Sequence, residues 1–137
     1  MIVVDTGAML ALLDAGEDHH AILKDLYEEN AGRWILPSAI LPEVDSLVAA
    51  HLGAKAQEAF LADLADGSFS VEWGRDEDLA TAHRICARHR SLRIGLVDAM
   101  VMAAAERLKA EAIATLDLRH FAAVSIKGAP RLLPRDR

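Results

Sequence analysis

The stretch Met1–Gly7, MIVVDTG, decides the fold of this chain, because it joins an apolar run directly to a polar turn. Ile2, Val3 and Val4 form a β-branched run of the kind found in a central strand that is buried on both faces. The run stops at Asp5, which predicts a carboxylate where open α/β sheets place their ligands. Burying a lone carboxylate is costly, so Asp5 must find a partner elsewhere in the chain.

The size and composition of the chain favour one ordinary domain over residues 1–137. It has 137 residues, of which 53% are hydrophobic, enough for a proper core. A strand that begins at residue 2 leaves no room for a signal peptide, and no apolar run approaches the roughly 20 residues that span a bilayer. We therefore expect no contact with a membrane. Cys86 is the only cysteine, so no internal disulfide can form and a cytoplasmic location is expected.

The formal charge of −6 argues mildly against nucleic acid as a partner, but the distribution of charge matters more. The segment from Leu79 to Val97 holds no acid, and the segment after Asp117 holds only Asp136. Their basic residues are Arg84, Arg88, Arg90 and Arg93, and then Arg119, Lys127, Arg131, Arg135 and Arg137. These segments predict two basic surfaces that could meet phosphates, although a solvated helix face and a frayed tail would look the same.

Short apolar runs alternate with helical patterns along the whole chain. The predicted strands are Ile2–Val4, Trp34–Leu36, Phe69–Trp73, Ala112–Leu116 and, at one edge, Arg131–Leu133. The predicted helices cover Ala8–Leu13, Asp18 (as cap) to Asn30, Ser38 (as cap) to Gly53, Ala54–Asp66, Asp76 (as cap) to His89, Asp98 to Leu108 and one turn at Leu118–Phe121. This alternation predicts the α/β class, with a short, mainly parallel sheet flanked by helices.

Four acids stand at element boundaries beside apolar residues: Asp5, Glu43, Asp98 and Asp117. In a parallel sheet the strand ends and the following helix starts share one edge of the molecule, so these side chains can converge there. Four anions close together resist ionising, and a divalent cation resolves that conflict. Mg²⁺ prefers oxygen ligands, so the sequence predicts a magnesium site.

Four stretches resemble one known family in their order and spacing. They are VVDTGAMLALL (3–13), LPSAILPEVDSLV (36–48), GLVDAMVMAAAERL (95–108) and IATLDLRHFAAV (113–124). Together they resemble the PIN-domain ribonucleases, in particular the VapC-type toxins of bacterial toxin–antitoxin pairs. The resemblance is weakest in residues 53–80 and after 125. It implies a PIN-like three-layer sandwich, in which the sheet lies between helices.

The resemblance also implies roles for individual residues. The family's catalytic acids correspond to Asp5, Glu43, Asp98 and Asp117. Of these, Asp5, Asp98 and Asp117 would ligate Mg²⁺, with Mn²⁺ as a substitute, while Glu43 would hold a second ion or orient the attacking water. Supporting hydroxyl groups correspond to Thr6 and Thr115. Leu116 lies where many relatives carry a polar residue, which puts one outer hydrogen bond in doubt.

The implied activity is metal-dependent hydrolysis of RNA phosphodiester bonds, in tRNA, rRNA or mRNA. Arg93 and Arg119 would contact the RNA backbone without reading its bases. The implied partners are a small antitoxin and a second copy of the chain in a homodimer. We expect the antitoxin to wrap the apolar helices near residues 8–30 and 39–60.

Two other functions compete with this one. A phosphatase of the haloacid-dehalogenase type also begins with an Asp after the first strand, but it needs a second Asp where this chain has Gly7. A non-catalytic binding module of PIN fold would be favoured by loss of an acid, yet all four are present. The histidines lack the spacing of a zinc helix, so surface or partner contacts are expected for His19, His20, His51, His83, His89 and His120.

Overall fold

The computed structural model describes residues 1–137 and has a five-stranded sheet at its centre. The strands are β1 (Ile2–Val4), β2 (Trp34–Pro37), β3 (Ser70–Glu72), β4 (Ala112–Ala114) and β5 (Arg131–Leu133). Their order is β3-β2-β1-β4-β5, and every neighbouring pair is parallel. The predicted parallel sheet is therefore confirmed, and β5 lies at the edge as expected.

Seven helices flank this sheet, which confirms the predicted α/β sandwich. They are α1 (Thr6–Leu13), α2 (His20–Glu29), α3 (Leu41–Leu52), α4 (Ala54–Ala65), α5 (Glu77–Arg88), α6 (Leu96–Leu108) and α7 (Leu118–Phe121). Short 3₁₀ turns cover Ser38–Ile40 and Arg90–Leu92. None of the helices has the length and apolar character that a membrane crossing requires.

The core centres on β1, β4 and α6. All residues of these two strands are buried. In α6 the run from Val101 to Ala105 is buried throughout, as its apolar sequence predicts. Alanine at four positions of this helix removes side-chain bulk, so the helix can lie close to its neighbours at the density of a protein interior.

Two helices start earlier than the sequence predicts. α1 begins at Thr6 because the Asp5 carboxylate accepts the backbone N–H of Thr6 and caps the helix. α6 begins at Leu96 after Gly95, so Asp98 lies in the first turn and is not the cap. Both shifts place an acid near free backbone N–H groups at a helix start, where negative charge is stabilised.

The caps predicted at Ser38 and Asp18 are wrong, whereas Asp76 lies at the predicted cap position without a capping hydrogen bond. The Ser38 hydroxyl donates to the Trp73 carbonyl at 3.1 Å, and a 3₁₀ turn separates Ser38 from α3. Asp76 directly precedes α5, as predicted, but its side chain makes no capping hydrogen bond. α2 begins only at His20, so Asp18 lies outside it. Local sequence favours a cap at each position, but tertiary contacts decide which polar group is used.

The register of β1 and β4 places two polar residues side by side at the carboxyl edge of the sheet. Val4 of β1 pairs with Ala114 of β4, and the backbone N–H of Asp5 donates to the Ala114 carbonyl at 2.9 Å. The next residues along each strand, Asp5 and Thr115, therefore leave the sheet side by side at its carboxyl edge. This is the position where parallel α/β sheets hold their ligands.

Candidate metal centre

Asp5 is the most deeply buried acid of the centre, with only 5% of its surface exposed. One carboxylate oxygen accepts the Thr6 backbone N–H at 2.7 Å, and the other accepts the Thr115 hydroxyl at 2.9 Å. Burial raises the pKa of Asp5 to about 6, and the negative charges of Asp98 and Asp117 act in the same direction. The two hydrogen bonds oppose this rise in pKa without cancelling it.

Thr115 links Asp5 to a second acid. Its buried hydroxyl donates to Asp5 and accepts the backbone N–H of Asp117 at 3.1 Å. A hydroxyl can do both because it has one proton and two lone pairs. Thr115 therefore fixes the start of the segment that carries Asp117.

Asp98, Asp117 and His120 form a compact group at the same edge. His120 Nδ1 lies 3.0 Å from Asp98 Oδ2 and 3.2 Å from Asp117 Oδ2. The backbone N–H of His120 also donates to Asp117 Oδ1 at 3.2 Å. One ligand atom from each of the three residues lies within 4.8 Å of the other two, which is close enough for one metal ion to contact them together.

Sequence reasoning missed the contacts of His120, whose side chain does not lie on the open surface. Its side chain is only 17% exposed and lies between two acids. The hydrogen bond to Asp98 raises the pKa of His120, and the charges of both acids add to the effect. The spacing of Asp117 and His120, three residues apart directly after a strand, is the signal that could have revealed the contact.

Glu43 forms no hydrogen bond or ion pair with this group. It lies in the first turn of α3, as predicted, but its side chain is exposed and has no hydrogen-bond or ion-pair partner. Asp45, two residues later, accepts a hydrogen bond from Gln57 at 2.9 Å and so joins α3 to α4. The structure thus brings together three of the four predicted acids, and leaves Glu43 free at the start of its helix.

The donor set fits a divalent cation. Three carboxylates supply the hard oxygen ligands that Mg²⁺ and Mn²⁺ prefer, and an imidazole nitrogen is acceptable to Mn²⁺. The Thr6 hydroxyl oxygen is buried at the first position of α1 and has no hydrogen-bond partner in the structure. A buried hydroxyl without a partner is unusual, and an ion or water beside it would satisfy it.

The two predicted RNA contacts, Arg93 and Arg119, are both exposed. Arg93 has left-handed backbone geometry after the 3₁₀ turn that precedes α6. Arg119 lies in α7, directly before His120. Neither guanidinium has a carboxylate partner, so both are available to an anion outside the protein.

Comparison with known proteins agrees with this arrangement. Residues 2–127 match the family model of the PIN domain, a range that includes all four predicted acids. Ribonuclease VapC26 of Mycobacterium tuberculosis (strain ATCC 25618 / H37Rv) is 33% identical over 130 residues, which cover 95% of this chain and 96% of that protein. The similarity therefore extends over nearly the whole fold and is not confined to one motif.

Solved structures show the same fold at lower identity. VapC20 of Mycobacterium tuberculosis, described as a toxin that cleaves the sarcin-ricin loop, aligns with a TM-score of 0.80 and 24% identity over 90% of this chain and 95% of that one. VapBC2 of Rickettsia felis, bound to a fragment of promoter DNA, aligns with a TM-score of 0.71 and 15% identity over 96% and 97%. The chain belongs to the PIN-domain family, on its VapC-type branch.

Proposed function

We propose that this protein is a Mg²⁺-dependent endoribonuclease and the toxic member of a toxin–antitoxin pair. The observation that carries the proposal is the convergence of Asp5, Asp98 and Asp117 at one sheet edge, in a chain 33% identical to a protein named as a ribonuclease. Carboxylates gathered in this way would repel one another without a cation. A metal-assisted hydrolysis of phosphodiesters is the reaction class that such a centre suits best.

In this proposal Asp98 and Asp117 are direct ligands, and Asp5 completes the set directly or through water. A bound Mg²⁺ would lower the pKa of a coordinated water and neutralise charge on the phosphoryl oxygens. Mn²⁺ would substitute, because the same donor set accepts it. Thr115 keeps Asp5 and Asp117 in place, and Thr6 offers its unpartnered hydroxyl to the hydrated ion.

Glu43 has a different role in the proposal. Its carboxylate is exposed and unpaired, so it is free to accept a proton from the attacking water. It also stays a candidate to hold a second ion once RNA brings a phosphate to the centre. In both cases its contribution depends on substrate, in contrast to the acids already gathered at the sheet edge.

The proposed partners follow from the same branch of the family. We propose a small antitoxin that covers the helices near residues 8–30 and 39–60, since the structural neighbour from Rickettsia felis is named VapBC2 and not VapC alone. We also propose that the chain forms a homodimer and acts in the cytoplasm. The RNA substrate is a tRNA, rRNA or mRNA, which the centre contacts through phosphates and so does not select by sequence.

A direct experiment compares RNA cleavage by the purified chain and by Asp98→Asn, with Mg²⁺ and with a chelator. Asp25→Asn is a matched control, because Asp25 is exposed on α2 and has no side-chain partner. We expect cleavage by the parent and the control only when Mg²⁺ is present, and loss of cleavage in Asp98→Asn.

A small phosphate ester, assayed in parallel, separates the alternatives. Ester hydrolysis without RNA cleavage would favour a phosphatase. RNA binding without hydrolysis of either substrate would favour a non-catalytic binding module. Growth of a host that expresses the parent or Asp98→Asn at equal level then tests toxicity, and equal growth arrest by both would contradict the proposed centre.

A further inference from the structure

The structure brings the two basic segments of the chain to one groove. Arg84 and Arg88 of α5 line a cavity of about 250 Å³ together with Lys127, which follows α7. A second cavity of about 350 Å³ adjoins it, shares Lys127 and adds Lys109 at the end of α6. Four cationic side chains thus line two cavities that share Glu106 and Lys127 and that we call the groove, on a chain whose formal charge is −6.

Glu106 is the carboxylate common to both cavities, and it links the elements that carry Arg84 and Lys127. It accepts hydrogen bonds from the Arg84 guanidinium at 2.9 Å and from the backbone N–H of Lys127 at 3.1 Å. Its side chain is only 11% exposed. Glu106 is therefore committed to holding α5, α6 and the segment after α7 together, and it does not neutralise the other cations.

Three of the cations are left without an acidic partner. Arg88, Lys109 and Lys127 are exposed, and none of their side chains forms an ion pair or hydrogen bond within the protein. The dipole of α5 stabilises a cation at the position of Arg88, but it does not explain why Arg88 is grouped with the other cations. Unpaired cations grouped around one groove favour a polyanionic ligand, such as a chain of phosphates.

The groove runs away from the metal centre along α6. Asp98 and Glu106 lie eight residues apart on this helix, which corresponds to about 12 Å along its axis. At the near end, His89 lines the groove and directly precedes the 3₁₀ turn Arg90–Leu92, which leads to α6. A strand of RNA that leaves the centre would thus meet the groove within a few nucleotides.

We propose that the groove lined by Arg84, Arg88, Lys109 and Lys127 binds the phosphodiester backbone of the RNA beside the bond that is cut. This inference rests on the proposed ribonuclease function and assigns it a substrate track. The spread of the cations over two adjoining cavities favours a polymer over a single phosphate. The groove prolongs the binding of RNA without taking part in the chemistry.

The test measures RNA binding and cleavage by the double variant K109Q/K127Q against K24Q/K55Q. Both variants lack two lysines, so they have the same net charge, but Lys24 on α2 and Lys55 on α4 do not line the groove. All four lysines are exposed, so folding should be unaffected, which a thermal melt checks. Binding to a single-stranded RNA without cleavage is measured in calcium or in the Asp98→Asn background.

We expect K109Q/K127Q to bind RNA at least tenfold more weakly than K24Q/K55Q. The slope of log affinity against log salt should fall by about 0.7 for each phosphate that the protein no longer neutralises. Cleavage of a long RNA should show a raised KM with kcat little changed, and adding R88Q should weaken binding further. Equal binding and equal salt slopes in the two double variants would overturn the groove while leaving the ribonuclease proposal intact.

Two further outcomes separate the proposals. If the parent cleaves no RNA but K109Q/K127Q still loses RNA affinity selectively, the groove stands and the catalytic proposal fails. If K109Q/K127Q binds RNA normally but no longer holds its cognate antitoxin, the groove is a protein-docking surface and the inference is overturned.

Discussion

Thr115 donates its hydroxyl proton to Asp5 Oδ2 at 2.9 Å, although 110 positions separate the two residues in the chain. The same hydroxyl accepts the backbone N–H of Asp117 at 3.1 Å. One buried side chain therefore positions two acids that come from different ends of the sequence. Its two hydrogen bonds can be removed together by one substitution.

Thr115→Val is expected to shift the pH profile of RNA cleavage toward alkaline pH. The Thr115 hydrogen bond lowers the pKa of Asp5, so its removal raises that pKa further above about 6. Ionised Asp5 then appears only at higher pH. Thr115→Ser keeps the hydroxyl and should restore the parent profile, whereas identical profiles for the Val and Ser variants would contradict this account.

Asp5→Asn should change how the stability of the metal-free protein depends on pH. The folded pKa of Asp5, about 6, lies above its ordinary value of 3.8, so the free energy of unfolding falls as pH rises between these values. The fall is at most about 3 kcal/mol. Relative to the parent, Asp5→Asn should gain stability from about pH 4 to pH 7, as measured by thermal melts. The exposed control Asp25→Asn should show no such trend, and a flat difference for Asp5→Asn would contradict it.

His120→Ala should destabilise the metal-free protein most at acidic pH. The folded pKa of His120 is raised by Asp98, so the stabilisation is complete below the unfolded pKa, about 6.5, and is lost as pH rises through the folded value. Tm should drop more at about pH 6 than at about pH 9. His51→Ala, at an exposed site of α3 without side-chain partners, is the control. A drop in Tm that is equal at both pH values would show that the ion pairs contribute nothing.

Glu43→Gln should slow RNA cleavage about 100-fold or more, in the range typical of removing a general base. The affinity of the free protein for Mn²⁺ should stay unchanged, because Glu43 is not among the grouped ligands. Titration calorimetry measures the affinity, and Glu58→Gln, exposed on α4, is the control. A clear decrease in Mn²⁺ affinity would place Glu43 in the ligand set of the free protein.

Arg107→Ala should be the most destabilising change outside the core. Arg107 donates to both carboxylate oxygens of Asp78, at 2.9 and 3.1 Å, and also to Glu72, so it joins α6 to α5 and β3. Asp78 is only 3% exposed, and leaving its charge without a partner costs about 3 kcal/mol. Urea denaturation should show a much smaller decrease in stability, about 1 kcal/mol or less, for Arg84→Ala, whose guanidinium is exposed. Equal decreases would mean that burial of Asp78 does not matter.

The sheet and the positions of three acids were predictable, because they depend on patterns that are local. A short β-branched run that ends in an acid marks both β1 and the place of Asp5, and the apolar run of α6 marks its burial. Parallel order then sends the ends of β1 and β4 to the same edge. No long-range detail is needed for that step.

The contacts of His120 and of the groove could not be predicted from local sequence patterns. His120 meets Asp98 only because α7 turns back against the start of α6, from a part of the chain 22 residues away. Glu106 likewise gathers Arg84 and Lys127 from different elements. The predicted Ser38 cap failed for the same reason, since the Ser38 hydroxyl finds its partner in Trp73 and not in its own helix.

The place of β1 in the sheet has a consequence for how the protein is made. Ile2 pairs with Trp34 on one side and with Ala112 on the other. The first pairing can form early in synthesis, but the second must wait until the last part of the chain has emerged from the ribosome. Until then Asp5 has neither Thr115 nor its fellow acids beside it. The arrangement of acids that we propose as a metal centre can therefore form only after the segment 98–117 has left the ribosome.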